Sequence, residues 1–251
     1  EVLESIQAHK PKVVFAPHVE TASGMLLSDD YLRAVADAVH AEGGLFVLDC
    51  IASGAVWVNM PSTGVDVLLS APQKGWSSTP CAGLVCLSSR AREVVAATTS
   101  SSFALDLKKW LQIADGYVAG LASYHATMPT DGIVKLHAAM LETQADGFEN
   151  CRERQWRLGG QVRAVLQERG FASVAAAGFQ APGVVVSYTD DAAIKSGQKF
   201  AAQGLQSAAG VPLMCGEAAD FSTFRLGLFG LDKLRDPAAA TDRLARALAQ
   251  F

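Results

Sequence analysis

Apolar residues follow two rhythms along this chain. In the first half, short unbroken runs alternate with amphipathic stretches. Val13-Val14-Phe15-Ala16 is fully apolar, as expected of a parallel strand covered on both faces. Ser28-Asp29-Asp30 can cap a helix carrying Leu32, Val35, Ala36, Val39 and His40, which ends at Gly43-Gly44. Further strands are predicted over 45–48, 65–69 and 84–87. Strand and helix alternating through short connections predict an α/β domain with a largely parallel sheet. From Thr130 the helical period takes over. Ile133, Leu136, His137, Met140 and Leu141 mark a long helix that runs past Gly147 and resumes through Arg157 to Leu166. Short strands at 183–188 and 224–228 follow, with helices between and after them. The change of rhythm divides the chain into a large domain, 1–145, and a smaller α+β domain, 146–251. Glu1-Val2-Leu3-Glu4-Ser5-Ile6 reads as the middle of a helix whose cap is missing.

Composition narrows the function classes. Half of the 251 residues are hydrophobic and 18% are charged, which suits a soluble globular protein and is too apolar for disorder. A formal net charge of −4 gives no electrostatic footprint for nucleic acid or an anionic membrane. The one dense basic stretch, Arg152-Glu153-Arg154-Gln155-Trp156-Arg157, includes an acid and reads as a solvated helix face. No apolar run is long enough to span a bilayer. Cys50, Cys81, Cys86, Cys151 and Cys215 are scattered and share no metal-ligand spacing with the five histidines. Free thiols in a reducing, cytoplasmic setting are the expectation.

The chemistry gathers at three predicted strand ends, where α/β sheets bind ligands. His18-Val19-Glu20-Thr21-Ala22-Ser23-Gly24 follows the first strand, Asp49 ends the second, and Ser70-Ala71-Pro72-Gln73-Lys74-Gly75-Trp76 follows the third. A strand-end aspartate and a loop lysine 25 positions later are what a pyridoxal 5'-phosphate (PLP) enzyme needs. The lysine forms a Schiff base with the aldehyde, and the acid keeps the pyridine nitrogen protonated so that the ring can serve as an electron sink. Pro72 fixes the loop, Gln73 offers an amide to a phosphate, and Gly75 leaves room for backbone approach. Plainer roles exist for several of these residues. Asp49 can close a turn after its strand, Ser53 can serve a phosphate or a turn, and Thr21 can make a local turn bond. His18 can be a satisfied loop histidine. Arg225, in the apolar run Thr223-Phe224-Arg225-Leu226-Gly227-Leu228, needs either a buried acid or a substrate carboxylate. The bidentate fork to a carboxylate is the preferred reading.

Together these runs resemble the class V aminotransferases of PLP fold type I, in particular the alanine–glyoxylate and serine–glyoxylate group. His18 to Gly24 is similar to that group's H-x-E-[ST]-x-[ST]-G loop, Asp49-Cys50-Ile51-Ala52-Ser53 to its D-x-x-A-S, and Gln73-Lys74 to its Q-K pair. Phe224-Arg225-Leu226-Gly227 resembles its R-[IL]-G strand, and Tyr124-His125-Ala126-Thr127-Met128-Pro129 its Y-H-x-T-x-P segment. The resemblance runs from near residue 10 to the C-terminus. It implies that Lys74 is the Schiff-base lysine and proton shuttle, and that Asp49 pairs with the pyridine nitrogen. Thr21 would then bond the phenolic oxygen, Gln73 the phosphate and Arg225 the substrate carboxylate, with Ser53 beside the cofactor. Tyr124 and Thr127 would reach the phosphate of a neighbouring subunit, which implies a homodimer. The resemblance also implies an upstream segment with a phosphate loop and a ring-stacking aromatic. The chain therefore looks like the C-terminal two-thirds of such an enzyme and is expected to expose an unpaired sheet edge.

The implied reaction moves an amino group from alanine, serine or a similar small donor to a 2-oxo acid such as glyoxylate or pyruvate. Transamination between 2-aminoethylphosphonate and pyruvate is the nearest alternative. A cysteine desulfurase on the same fold would carry a histidine where Gln73 stands, and Cys215 is its only candidate for a mobile-loop thiol. A non-catalytic interaction module or inert fragment is the remaining alternative.

Overall fold

The computed structural model describes residues 1–251. Helix α1 (Val2–His9) begins with no side-chain cap on Glu1 and buries only Ile6. Strand β1 (Val13–Pro17) leads into a hairpin of β2 (Val19–Glu20) and β3 (Met25–Leu26). Helix α2 (Asp29–Ala41) starts where the sequence places it, since Ser28 Oγ accepts a hydrogen bond from the Tyr31 amide at 3.2 Å. Its apolar stripe, Leu32, Val35, Ala36 and Val39, packs under β4 (Leu45–Asp49) in one cluster with Phe46, Leu48 and Val65. Each such fully buried aliphatic side chain contributes about 1.5–3 kcal/mol. The short α3 (Met60–Thr63) precedes β5 (Val67–Ser70), and β6 (Leu84–Leu87) completes the sheet.

The sheet order is β1-β4-β5-β6, with β6 alone antiparallel. Buried Asp66 pins its centre. That carboxylate accepts from Phe46 N at 2.8 Å, His40 Nε2 at 2.7 Å and Ser88 Oγ at 3.2 Å. One acid thus ties α2, β4 and the residue that follows β6 together just before β5 begins.

The expectation for the first strand needs correction. β1 lies at the sheet edge and is covered on one face only: Phe15 is 71% exposed, whereas Val14 and Ala16 pack on the α2 cluster. A four-residue apolar run cannot report how many neighbours its strand has.

Helices α4 (Ser89–Ala97) and α5 (Leu107–Val118) follow, and then α6 (Thr130–Asp146) and α7 (Phe148–Glu168). The long helix predicted through this region is broken at Gly147, whose φ of 91° lies outside helical space. A second correction concerns the supposed solvated stretch in α7: Gln155 there is fully buried. Strand β7 (Val184–Tyr188), helices α8 (Ala192–Lys195) and α9 (Gln198–Ala202), and strand β8 (Ala208–Ala209) come next. They are followed by β9 (Thr223–Gly227), α10 (Leu231–Leu234) and α11 (Pro237–Leu248). β7, β9 and β8 form a separate antiparallel sheet in that order. Its core joins Leu158, Val162 and Leu166 of α7 to Val185, Phe224, Leu244 and Leu248.

Candidate active site

The carboxyl ends of β1, β4 and β5 are held at one level by main-chain bonds. His18 N donates to Asp49 O at 2.9 Å, and Cys50 N donates to Leu69 O at 2.8 Å. The three loops singled out in the sequence therefore leave the sheet side by side.

The lysine loop is held from several directions. Ser77 N donates to Lys74 O at 3.0 Å and Ser78 N to Pro72 O at 2.9 Å, which closes the turn around the lysine. Ser77 adopts a left-handed φ of 58°, and its hydroxyl accepts from Leu231 N at 2.8 Å, tying the turn to α10. A side chain on Gly75 would collide with the Gly54 carbonyl, so the lysine loop and the aspartate loop meet backbone to backbone. Trp76 donates to Ser70 Oγ at 3.2 Å and packs on Trp57 with ring centres 5.1 Å apart. Trp57 in turn donates to Phe148 O at 2.8 Å, and the Phe148 ring completes an aromatic trio at the start of α7. Half-buried Lys74 directs Nζ toward Phe229, 5.4 Å from the ring centre, a cation–π distance.

Asp49 makes the turn bond expected of an acid that closes a strand: Oδ1 accepts from Ile51 N at 2.8 Å. That bond leaves Oδ2 for another partner. Ser53 is buried, and its Oγ lies 2.7 Å from Nδ1 of equally buried His18. His18 is thus a satisfied loop histidine whose partner is a predicted site residue. Burial drives its pKa down to about 4, against a smaller upward pull from Asp29, so the ring is neutral near pH 7. Burial also pushes the Cys50 thiol up to about 12, which leaves it an inert neighbour of Asp49.

The first loop holds a residue that sequence reasoning passed over. The Glu20 carboxylate accepts from Ala22 N and Ser23 N, both at 2.7 Å, and from Ser23 Oγ at 2.6 Å. Burial raises its pKa, but the Ser23 hydroxyl, the two amides and the charge of Arg225 together bring it below the usual range. The acid standing two and three residues before those amides was the available signal. Because Glu20 makes the turn bonds, the Thr21 side chain is left for other work. Arg225 reaches this loop from β9: Nε donates to Ala209 O at 2.8 Å and Nη1 to Thr21 O at 3.5 Å. Backbone carbonyls hold the guanidinium, and its link to an acid is the longer-range pull on Glu20 rather than a direct ion pair.

Thr21, Asp49, Ser53, Lys74 and Arg225 therefore converge on one rim, with exposed Gln73 beside the lysine. Tyr124 and Thr127 do not join them. They lie in the loop between α5 and α6, 3.4 Å from each other through their hydroxyls, and Tyr124 is 75% exposed. Phe229 and Glu20 are the neighbours that the sequence reading missed. Phe229 carries no polar group to mark it, and only the fold brings it to Lys74.

The donor set fits the ring end of PLP: an amine, a strand-end carboxylate with one oxygen uncommitted, and a hydroxyl released from turn duty. The close backbone approach of Gly75 to Gly54 sets where the amine begins. For the phosphate end, Gln73 is the polar group adjacent to the amine.

Comparison with known proteins agrees with this chemistry. No family model matches the chain. The chain is 30% identical over 170 residues to L-aspartate–glyoxylate aminotransferase of Paracoccus denitrificans, covering 68% of this chain and 42% of that protein. It is 29% identical over 258 residues to 2-aminoethylphosphonate–pyruvate transaminase of Burkholderia ambifaria, covering 98% of this chain and 64% of that protein. The crystal structure of alanine–glyoxylate aminotransferase from Nostoc sp. superposes on all of this chain and 64% of its own length, with a TM-score of 0.85 at 23% identity. The chain thus spans roughly two-fifths to two-thirds of the length of these relatives. Enzymes of this class use pyridoxal 5'-phosphate. Fold, loop order and relatives agree: the chain has the fold of the PLP-dependent aminotransferases of fold type I, and the proteins it resembles in sequence include glyoxylate and pyruvate aminotransferases.

Proposed function

We propose that this chain supplies the lysine and aspartate of a transaminase site. Within the whole enzyme, that site moves an amino group from a small amino acid, alanine or serine, to a 2-oxo acid such as glyoxylate or pyruvate. The observation that carries this reading is the convergence of the Asp49 and Lys74 loops, backbone against backbone, under an arginine from the second sheet. When bound, PLP supplies a protonated pyridine ring that accepts the electron pair released at the substrate α-carbon. Lys74 Nζ would hold the cofactor through its aldehyde carbon, the aldehyde oxygen leaving as water, and would carry the proton that leaves the substrate α-carbon. Asp49 would hold the proton on the ring nitrogen. Thr21 would donate to the phenolic oxygen, and Gln73 to the phosphate. Ser53 serves the phosphate end in an orientation set by His18. Arg225, with Nε and Nη1 committed to carbonyls, keeps Nη2 for the substrate carboxylate.

Tyr124 and Thr127 complete the phosphate site of a second copy in a homodimer. Their exposure supports this, as does the apolar surface around them, where Val118 is 90% and Leu121 63% exposed. The division into a 1–145 domain and a 146–251 domain is supported by the break at Gly147 and by the two separate main sheets. Five free thiols support a reducing, cytoplasmic setting, and no helix is long and apolar enough to cross a membrane.

A second reading, transamination between 2-aminoethylphosphonate and pyruvate, is favoured by the likeness to the Burkholderia protein, which extends over 98% of the chain. A donor panel of alanine, serine and 2-aminoethylphosphonate separates the two, since turnover with the phosphonate alone establishes the second. The cofactor site itself is tested by incubating the chain with PLP, reducing with borohydride and mapping peptides by mass. A single adduct on Lys74, absent from Lys74→Ala, is expected. Adducts spread over surface lysines would overturn the assignment.

A further inference from the structure

Lys74 Nζ enters none of the chain's ion pairs. The contact it does make, to the Phe229 ring centre at 5.4 Å, is built from several directions. A side chain on Gly54 would lie 3.5 Å from the ring, one on Gly183 3.2 Å and one on Gly227 3.4 Å. Glycines in the aspartate loop, just before β7 and at the end of β9 thus leave the ring its slot. The main chain on either side is held as well. Leu228 N donates to Gly183 O at 2.9 Å, Gln155 Nε2 to Leu228 O at 3.2 Å, and Lys233 Nζ to Phe229 O at 2.8 Å. Gly54 also meets the backbone of Gly75. One residue therefore borders both the lysine's main chain and its aromatic partner.

A ring face attracts a cation through its quadrupole, has no such pull on a neutral amine, and offers no atom to take the proton. It therefore favours the lysine as an ammonium over the neutral amine that attacks an aldehyde. A carboxylate in its place would pair with the ammonium more tightly and compete for its proton. In the proposed transaminase site Lys74 has two duties: it lets go of the cofactor, and it carries a proton. A weak, non-basic partner for the ammonium suits both.

We propose, resting on that reading of the site, that Phe229 is a positioning residue whose ring holds Lys74 as a free ammonium, favouring its release from the cofactor. The test replaces Phe229 with pentafluorophenylalanine, which keeps the ring but reverses the charge of its face, and separately with leucine. The cofactor-free chain is trace-labelled with acetic anhydride at constant pH and read by peptide mass. Lys74 should be acetylated about two- to fivefold faster in both variants than in wild type, with the other lysines unchanged. The PLP concentration that gives half of the borohydride-trapped adduct on Lys74 should fall by a similar factor. A ring that only fills space predicts no change with the fluorinated residue and a weaker adduct with leucine. Unchanged or slower acetylation in the fluorinated variant overturns the proposal, even where PLP still forms its adduct on wild-type Lys74. Faster acetylation with no adduct on wild-type Lys74 would support the ring's hold on the ammonium and overturn the transaminase reading instead. If Phe229→Leu does not fold, the fluorinated ring decides, since it keeps the aromatic frame.

Discussion

His18 couples the site to pH chiefly through burial. The unfolded chain takes up a proton on this ring near pH 6.5, whereas the folded chain refuses it until about pH 4. Between those values the unfolded state holds more protons, so stability falls as pH drops from about 6.5 toward 4. The expected loss is roughly 2–3 kcal/mol over that window. Denaturant unfolding from pH 7 to pH 4.5 should show this decline, and His18→Asn should flatten it. Asp49 behaves differently. Its structural contribution is one bond from Ile51 N, which an asparagine carbonyl oxygen can accept equally well. Asp49→Asn should therefore melt within a degree or two of wild type, while the whole enzyme loses about 100-fold or more in turnover. A large drop in melting temperature with activity intact would make Asp49 a turn residue only.

Local chemistry made some elements legible and hid others. Ser28 before two acids and an apolar stripe announced α2, because a cap and a helical period are local properties. Gly147 was read through as part of a helix because the apolar period on either side of it is nearly in phase. The break becomes clear only where Asp146, turned back, meets Arg154 at 2.8 Å. The lysine loop depends on a contact that no local pattern encodes, the approach of Gly75 to Gly54. Gly75→Ala should cost about 1–3 kcal/mol by forcing the two loops apart. It should also lower the yield of borohydride-trapped adduct on Lys74. Unfolding and trapping measured on the same preparation would show whether both losses share that cause.

Across the whole molecule, residue types and loop order brought the proposed site into view, while the neighbours that the fold packs against it stayed hidden. Lys74, Asp49, Thr21 and Arg225 were legible because their chemistry is scarce in apolar segments. Phe229 and the buried carbonyl oxygen of Gln155 were not, since each is defined by what the fold packs around it. The surface follows the same rule. Tyr117, Val118, Leu121, Tyr124, Val134 and Leu141 leave apolar area exposed along α5, α6 and the loop between them. Light scattering should report self-association of the chain at micromolar concentration, and Val118→Asp with Leu121→Lys should reduce it. A clean monomer in both forms would remove the support for a homodimer through this face.

The aromatic trio gives the chain a built-in optical gauge. Of its four tryptophans, Trp76 stands two residues from Lys74 and shares its contact with Trp57, so two of the four indoles sit beside the lysine turn. Any group seated on that turn that absorbs in the near ultraviolet will drain their emission by energy transfer. Titration of the unlabelled protein then follows occupancy by dimming alone, and Trp76→Phe should remove much of the signal.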